Sequence, residues 1–259
     1  RKDTFLLKTK FNFAKEIIRE AGAFVKSHMI QELDIEEKTR FDDLVTNLDK
    51  ATQDLVIGKI KQAYPDDHIM AEENGVYHPV SDGHVWVLDP IDGTVNFIVQ
   101  RDHFAIMLSY YEDGVGQFGL IYDVMGDTLY SGGGQFDVYA NDKKLQPYQD
   151  VLLNRSLIGC NAMMFADDYH GIKELVQQSL GVRIYGGAGI SMAYVLSGQL
   201  LAYFSHIQPW DYAAAKVMGE KLGYVLLTID GKEPDFKTRQ KVMFVPKAKL
   251  ATIQQYLKP

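Results

Sequence analysis

Two carboxylates separated by a proline and an apolar residue, then a glycine and a threonine, make Asp89-Pro90-Ile91-Asp92-Gly93-Thr94 the most chemically loaded stretch of this 259-residue chain. A tight turn at Gly93 would aim both carboxylates into one small volume and leave backbone groups uncovered. Two anions held that close need a cation. Hard divalent ions such as Mg²⁺ take carboxylate, carbonyl and water oxygens and keep positions open for phosphate oxygens. Bare N–H groups at Gly93 and Thr94, with the Thr94 hydroxyl, suit a phosphate group and an attacking water. The stretch reads as a metal-assisted phosphate site. The ordinary alternative is a turn whose aspartates cap their own backbone, and short patterns of that kind recur by chance.

A strand must carry Asp89 to such a site. Val85-Trp86-Val87-Leu88 is a short apolar run rich in β-branched and aromatic residues, the pattern of a strand buried on both faces. Pro90 has no ladder donor, so the chain is expected to leave the sheet directly after Asp89. Upstream, His68-Ile69-Met70-Ala71 reads as a second short strand ending on Glu72-Glu73-Asn74-Gly75. One acidic pair at a loop is ordinarily solvated surface. Two strands that both end in acids before a glycine, within about twenty residues, fit a shared site better, because ligand sites favour strand ends.

Further upstream, Phe13, Ile17, Ile18, Ala21, Phe24 and Val25 recur at helical spacing among charges of both signs, an amphipathic helix with a solvated face. Polar residues 36–43 read as a loop or edge hairpin. A second helix carries Ala51, Leu55, Val56, Ile60 and Ala63 and ends before Pro65, with Asp49 placed as its N-cap.

Downstream, 104–111, 116–122 and 128–130 are strand-like runs joined by polar glycine turns, an antiparallel meander. Gly132-Gly133-Gly134 lacks the Lys-Ser/Thr of a nucleotide P-loop and is assigned no phosphate role. From Ser156 onward the texture changes. Short apolar strands at 156–160, 183–185, 200–204, 225–227 and 242–245 alternate with helices at 169–179, 190–196, after Pro209 and after Pro246, which signals an α/β layer. Residues 145–155, with Pro147, form the expected boundary. The chain is thus read as an N-terminal α+β subdomain, 1–150, with an antiparallel sheet and most of the acids, and a C-terminal α/β subdomain, 151–259. Gly186-Gly187-Ala188-Gly189, before a helix, would present backbone donors to an anion, although glycines there more often serve packing. Asp211, in the first turn after Pro209-Trp210, is ordinarily a cap or dipole partner.

Composition narrows the function classes. With 27 basic and 34 acidic residues the net charge is −7, which argues against a broad nucleic-acid or anionic-membrane surface. The single cysteine, Cys160, allows no internal disulfide and reads as a small inert core residue. No apolar run approaches a membrane span and the first residues lack the apolar block of a signal peptide, so a cytoplasmic location is expected.

The full segment from Trp86 to Phe97 resembles the first signature of the inositol monophosphatase family of Mg²⁺-dependent, lithium-sensitive phosphatases. Trp210-Asp211-Tyr212-Ala213-Ala214 resembles the second, with its usual Gly-Gly ending reduced to Gly223 followed by Tyr224, and Glu72-Glu73 matches the acidic pair before the first. The resemblance covers essentially the whole chain. It implies a layered αβαβα sandwich of alternating helices and sheets, combining α+β and α/β character. It implies one metal held by Glu72, Asp89 and the Ile91 carbonyl, a second by Asp89, Asp92 and Asp211, and a weaker third near Glu72 and Asp49. Mg²⁺ is the implied cofactor, two or three ions per site, with Mn²⁺ or Ca²⁺ as substitutes and Ca²⁺ and Li⁺ as inhibitors. Glu72 and Thr94, with Asp49, would orient a water and help deprotonate it. Asp92, Gly93, Thr94, Gly186, Gly187, Ala188 and Lys38 would contact substrate. Relatives suggest a homodimer.

The implied activity is hydrolysis of inositol monophosphate or a related sugar phosphate. Two departures bear on substrate: Gly187 replaces a hydroxyl residue, and Phe204 stands where animal inositol monophosphatases place a glutamate seven positions before the second-signature Asp. A phenylalanine there would make the pocket wall more apolar and admit a nucleotide, NADP⁺ or another sugar phosphate; the close alternative is a relative that prefers fructose 1,6-bisphosphate or a nucleotide 3′-phosphate. A reading from a different class is a regulatory protein that keeps the fold and binds RNA or transcription factors; the intact acids and negative charge weigh against it.

Overall fold

In the computed structural model, which describes residues 2–259, the first half runs α1 (Lys2–His28), β1 (Ile35–Glu37), β2 (Leu44–Thr46), α2 (Asn47–Ala63), β3 (His68–Ala71), β4 (His84–Asp92), α3 (Thr94–Gln100), β5 (Ala105–Glu112), β6 (Val115–Asp123), β7 (Thr128–Gly133), β8 (Phe136–Ala140) and β9 (Lys143–Lys144). The second half runs β10 (Ile158–Cys160), α4 (Ala162–Ala166), α5 (Ile172–Gln177), β11 (Val182–Arg183), α6 (Ala188–Leu196), β12 (Ala202–Ile207), α7 (Pro209–Leu222), β13 (Tyr224–Thr228), β14 (Gln240–Pro246) and α8 (Leu250–Tyr256). Strands β3 to β9 form a seven-stranded sheet in sequential order, antiparallel except for the parallel pair β3–β4. The other large sheet has the order β11-β10-β12-β14-β13.

Strand alternation sorts the apolar side chains into layers. On β4, Trp86 and Leu88 face α1 and α2, in a cluster with Ile17, Ile18, Val56 and Phe118. Val85 and Val87, one residue out of phase, face Ala213 and Val217 of α7. Helices α6 and α7 then pack against Tyr203, Leu226 and Phe244 of the five-stranded sheet. The opposite face of that sheet, with Ile158, Phe204 and Val245, is covered by Ile172 and Leu175 of α5 and Ile253 of α8. The result is an αβαβα sandwich. Trp86 is fully buried, and truncation of such a residue to alanine costs about 3–5 kcal/mol.

Close approach of α7 to the first sheet depends on Gly119, where a Cβ would lie 2.3 Å from the Ala214 carbonyl oxygen. That approach brings the start of α7 to the end of β4. Asp89 shares strand phase with Val85 and Val87, so its side chain also points to the α7 side.

Several local expectations are corrected. Pro90 does not end β4: the strand continues to Asp92, which pairs with Ala105 after a register shift following Asp89. A bulge places Pro90 and Ile91 outside the paired positions, so the missing N–H breaks no ladder bond. The helix read at 169–179 is a 3₁₀ turn, Tyr169–Gly171, followed by α5, because Gly171 adopts φ +71°. The strand read at 200–204 runs from Ala202 to Ile207. Among the described residues, no helix is long and apolar enough to cross a membrane.

Candidate active site

Three elements deliver four acids to one place. Asp89 stands at the last regular pair of β4, and Asp92 at its bulged end. Asp211 arrives on the first turn of α7, where its Oδ2 accepts from Gln208 N–H at 2.9 Å and closes a capping box. Glu72 follows β3, its own N–H donating to the Leu88 carbonyl at 3.2 Å. One carboxylate oxygen each of Asp89, Asp92 and Asp211 lie within 4.8 Å of one another. Glu72 joins them through Asp89, whose proton affinity burial and then the Glu72 charge raise.

Burial, and then mutual repulsion, raises the proton affinity of this group. Glu72 is pushed up to about 8 by burial, with Asp211 adding to it and Asp89 and Lys38 opposing. Asp92 is pushed up to about 7 by burial and by Asp211. Asp89 lies well above the usual carboxylate range, from burial and then Glu72, and burial also raises Asp211. Glu72 Oε2 and Asp89 Oδ1 are buried and meet no hydrogen-bond donor among the described residues. Buried acceptors of this kind carry the full cost of desolvation. A hard divalent cation satisfies the orphaned oxygens and the repulsion together, so the donor set fits one.

Asp49 and Thr94 form a second polar pair beside the acids. Thr46, and not Asp49, is the N-cap of α2: its hydroxyl accepts from Leu48 and Asp49 N–H groups, while Asp49 is the third helical residue of the capping box. Asp49 is fully buried. Its Oδ2 accepts from Thr46 N–H at 2.9 Å and its Oδ1 from the Thr94 hydroxyl at 3.0 Å. Burial raises Asp49 to about 6 against the Thr46 hydrogen bonds. Gly93, in the left-handed region at φ +83°, turns the chain from the bulge into α3, whose first turn begins at Thr94 without a side-chain cap.

The glycine segment at 186–189 finds an anion within the chain. Gly189 N–H donates to Asp92 Oδ2 at 2.7 Å, and Ala188 N–H also bonds that carboxylate. The start of α6 therefore holds Asp92, and the donors at Ala188 and Gly189 are already engaged. Lys38 Nζ stands 3.6 Å from Glu72 and 3.0 Å from Glu73. Burial lowers its pKa, but Glu72 and then Glu73 outweigh that and raise it.

A cavity of about 220 Å³ opens beside Asp92, Gly186 and Gly187, lined also by Asn161, Tyr203, Ser205 and His206. Phe204 is absent from that wall. It is fully buried on the other face of β12, in the cluster with Ile158 and Val245, because alternate strand residues point to opposite faces. The apolar wall expected from Phe204 is therefore replaced by a mixed one, in which Ile184 and Ile207 stand with the polar groups. Asn161 caps α4 through its Oδ1, with Met163 and Met164 N–H donating, and Cys160 is pushed up to about 12 by burial.

Sequence reading missed Gln53, which is fully buried. Its Nε2 donates to the Glu73 carbonyl at 2.7 Å and its Oε1 accepts from Glu73 N–H at 2.9 Å, clamping the turn that carries Glu72. The available signal was its helical phase: Gln53 lies on the same stripe of α2 as Val56 and Ile60, a polar residue where an apolar one belongs.

Comparisons with known proteins agree with this geometry. The inositol monophosphatase family profile matches residues 7–257. The inositol-1-monophosphatase of Bacillus subtilis is 37% identical over 236 residues, 89% of this chain and 89% of that protein. The crystal structure of inositol monophosphatase II from Staphylococcus aureus superposes with a TM-score of 0.86 at 34% identity, covering 97% of this chain and 96% of that one. A crystal structure of an IMPase/NADP phosphatase complexed with Mg²⁺ and phosphate gives 0.88 at 25% identity, over 97% and 95% of the two chains. With the acids gathered as described and similarity running nearly end to end, the chain belongs to the inositol monophosphatase family and is a hydrolase of phosphate monoesters.

Proposed function

We propose that the chain is a Mg²⁺-dependent phosphomonoesterase acting on inositol monophosphate or a related sugar phosphate. The observation that carries this reading is the convergence of Asp89, Asp92 and Asp211 within 4.8 Å, beside buried carboxylate oxygens without donors. Glu72, Asp89 and the Ile91 carbonyl would hold one ion, and Asp89, Asp92 and Asp211 a second; the IMPase/NADP phosphatase complexed with Mg²⁺ and phosphate supports that choice of metal. When bound, the ions supply positive charge at the phosphoryl oxygens and acidify water.

The protein's own groups do the rest. Thr94 donates its hydroxyl proton to Asp49, which leaves its oxygen lone pairs to accept from the attacking water and aim it. Glu72, beside Asp89, would take up the proton that water gives up. N–H groups of Gly93 and Thr94, uncapped at the start of α3, would donate to phosphate oxygens. Lys38 would keep Glu72 in place and add positive charge at the mouth of the site.

Cavity chemistry supports a sugar. About 220 Å³ is smaller than the roughly 300–1,000 Å³ of sites for drug-sized ligands, so it suits one polyhydroxylated ring better than a dinucleotide. Asn161, Ser205 and Tyr203 offer hydrogen bonds to ring hydroxyls. A cytoplasmic homodimer inhibited by Li⁺ and Ca²⁺ completes the reading.

The test is phosphate release from a panel of inositol, sugar, nucleotide and NADP⁺ phosphates, with Mg²⁺ and with a chelator. Chelator-sensitive turnover highest on inositol or sugar monophosphates is expected. Turnover indifferent to the chelator refutes the metal assignment, and a preference for NADP⁺ refutes the substrate class.

A further inference from the structure

Three cations share one stripe of α1. Lys8, Lys15 and Arg19 are seven and four residues apart, which at helical pitch keeps them within about 40° of one another over roughly 16 Å of axis. They line a groove of about 520 Å³ between α1 and strands β7 and β8 with the turn at Asn141 and Asp142, and Phe136 and Tyr139 stand on its wall. The groove shares no lining residue with the acidic cluster or the cavity beside it. β7 lies three strands from β4 in the sheet, about 14 Å at ordinary strand spacing.

Among the described residues, no ion pair reaches any of the three cations. Elsewhere in the chain, Lys50, Lys59 and Lys216 are matched with Glu36, Glu20 and Glu220. Burial, then Arg19 and Lys8, hold the Lys15 ammonium below its usual range, and no carboxylate compensates. The two acids on the groove do not cancel the stripe: Asp137 pairs with Lys144 at 3.3 Å, and exposed Asp142 offsets one charge of three. Like charges gathered on one helix face destabilise it.

We propose that this groove is a second, non-catalytic binding site for a small multiply phosphorylated anion. Lys15 and Arg19, about one turn apart, can share a phosphate, with Arg19 contributing paired N–H donors. Lys8, two turns away, reaches a second phosphate that a single inorganic anion does not supply. Phe136, stacked on Phe11 at 4.3 Å between ring centroids, and Tyr139 form a flat wall for the ring that carries the phosphates. The volume lies within the range of small-molecule sites.

Isothermal titration of the full-length Mg²⁺-loaded protein with methylenediphosphonate, a non-hydrolysable diphosphate, tests the assignment, with inorganic phosphate as the single-anion control. This probe also meets the acidic site, so the readout is the difference between wild type and the Lys15→Gln/Arg19→Gln double variant. Wild type is expected to bind two probes, and the double variant to lose one of them with at least about a tenfold loss of affinity, equivalent to about 1.4 kcal/mol. Lys15 Nζ also stands 4.5 Å over the Phe11 ring, so Lys15→Gln exchanges relieved repulsion for a lost cation–π contact and is expected to weaken probe binding with Tm near the wild-type value; a folding defect lowers Tm. Basal phosphatase activity of both variants stays at the wild-type level. Identical isotherms in wild type and variants overturn the proposal, as does inorganic phosphate binding the groove as tightly as the diphosphonate.

Discussion

Gly189 donates its backbone N–H to Asp92 Oδ2 at 2.7 Å, tying the bulged end of β4 to the first turn of α6 across 97 residues of sequence. The contact has no slack. A Cβ at Gly189 would lie 2.9 Å from Met107 Sδ and 3.2 Å from Asp92 Oδ2. Gly189→Ala is therefore expected to displace α6 from Asp92 and lower kcat by on the order of tenfold to a hundredfold. Steady-state kinetics at saturating Mg²⁺ checks this, and wild-type kcat would show that the docking is dispensable.

Asp92→Asn separates charge from shape. The amide oxygen can still accept from Gly189 and Ala188, so Tm is expected to hold or rise as repulsion with Asp211 disappears. Activity should fall more than the roughly 10–100-fold typical of losing an outer-shell partner of a metal ligand. Phosphate release and thermal melting on the same preparation give both readouts, and retained turnover removes Asp92 from the mechanism.

Gln53→Leu tests whether the Glu73 clamp positions Glu72. The change leaves the buried Glu73 N–H without a partner, at a cost of about 1–3 kcal/mol, and leaves the Glu73 carbonyl only the 3.5 Å bond from Val76 N–H. The expected result is a lower Tm and a higher Mg²⁺ concentration for half-maximal activity, with KM for substrate little changed. A variant that loses Tm but keeps its Mg²⁺ dependence would reduce Gln53 to a packing residue.

The metal-free protein should become less stable as pH rises. Folded-state values of about 6 for Asp49, 7 for Asp92 and 8 for Glu72 stand above reference values of 3.8, 3.8 and 4.5. The folded state therefore binds more protons between those limits. Its advantage is complete below the reference values and lost as pH climbs through the folded ones. Melting in chelator from pH 5 to pH 8 is expected to show a fall in Tm on the order of several degrees, reversed by Mg²⁺ at the upper end. A chelator melt that is flat or rises over this range contradicts the assigned repulsion.

Much of the layering was legible because it is local. The α1 stripe, the buried run of β4 and the alternation after Ser156 are periodic patterns that solvent imposes directly on a sequence. The same local logic failed where a neighbour changed the rule. Pro90 was read as a strand end because its missing donor was considered alone; the bulge against β5 leaves that position unpaired. Phe204 was placed at the pocket by counting from Asp211, and only the phase of β12 against β10 and β14 turned it away. The donors at Ala188 and Gly189 were visible as a glycine-rich helix start, but not that Asp92 would occupy them.

By itself the sequence determined which residues could do chemistry and in what order they occur: acids after β3, at the end of β4 and at the start of α7. Tertiary structure alone decided that Asp89, Asp92 and Asp211 meet within 4.8 Å, with Glu72 beside Asp89. Their meeting depends on sheet register and on the approach of α7 over Gly119. Those are set by packing between layers, which leaves no periodic trace in the segments that carry the acids.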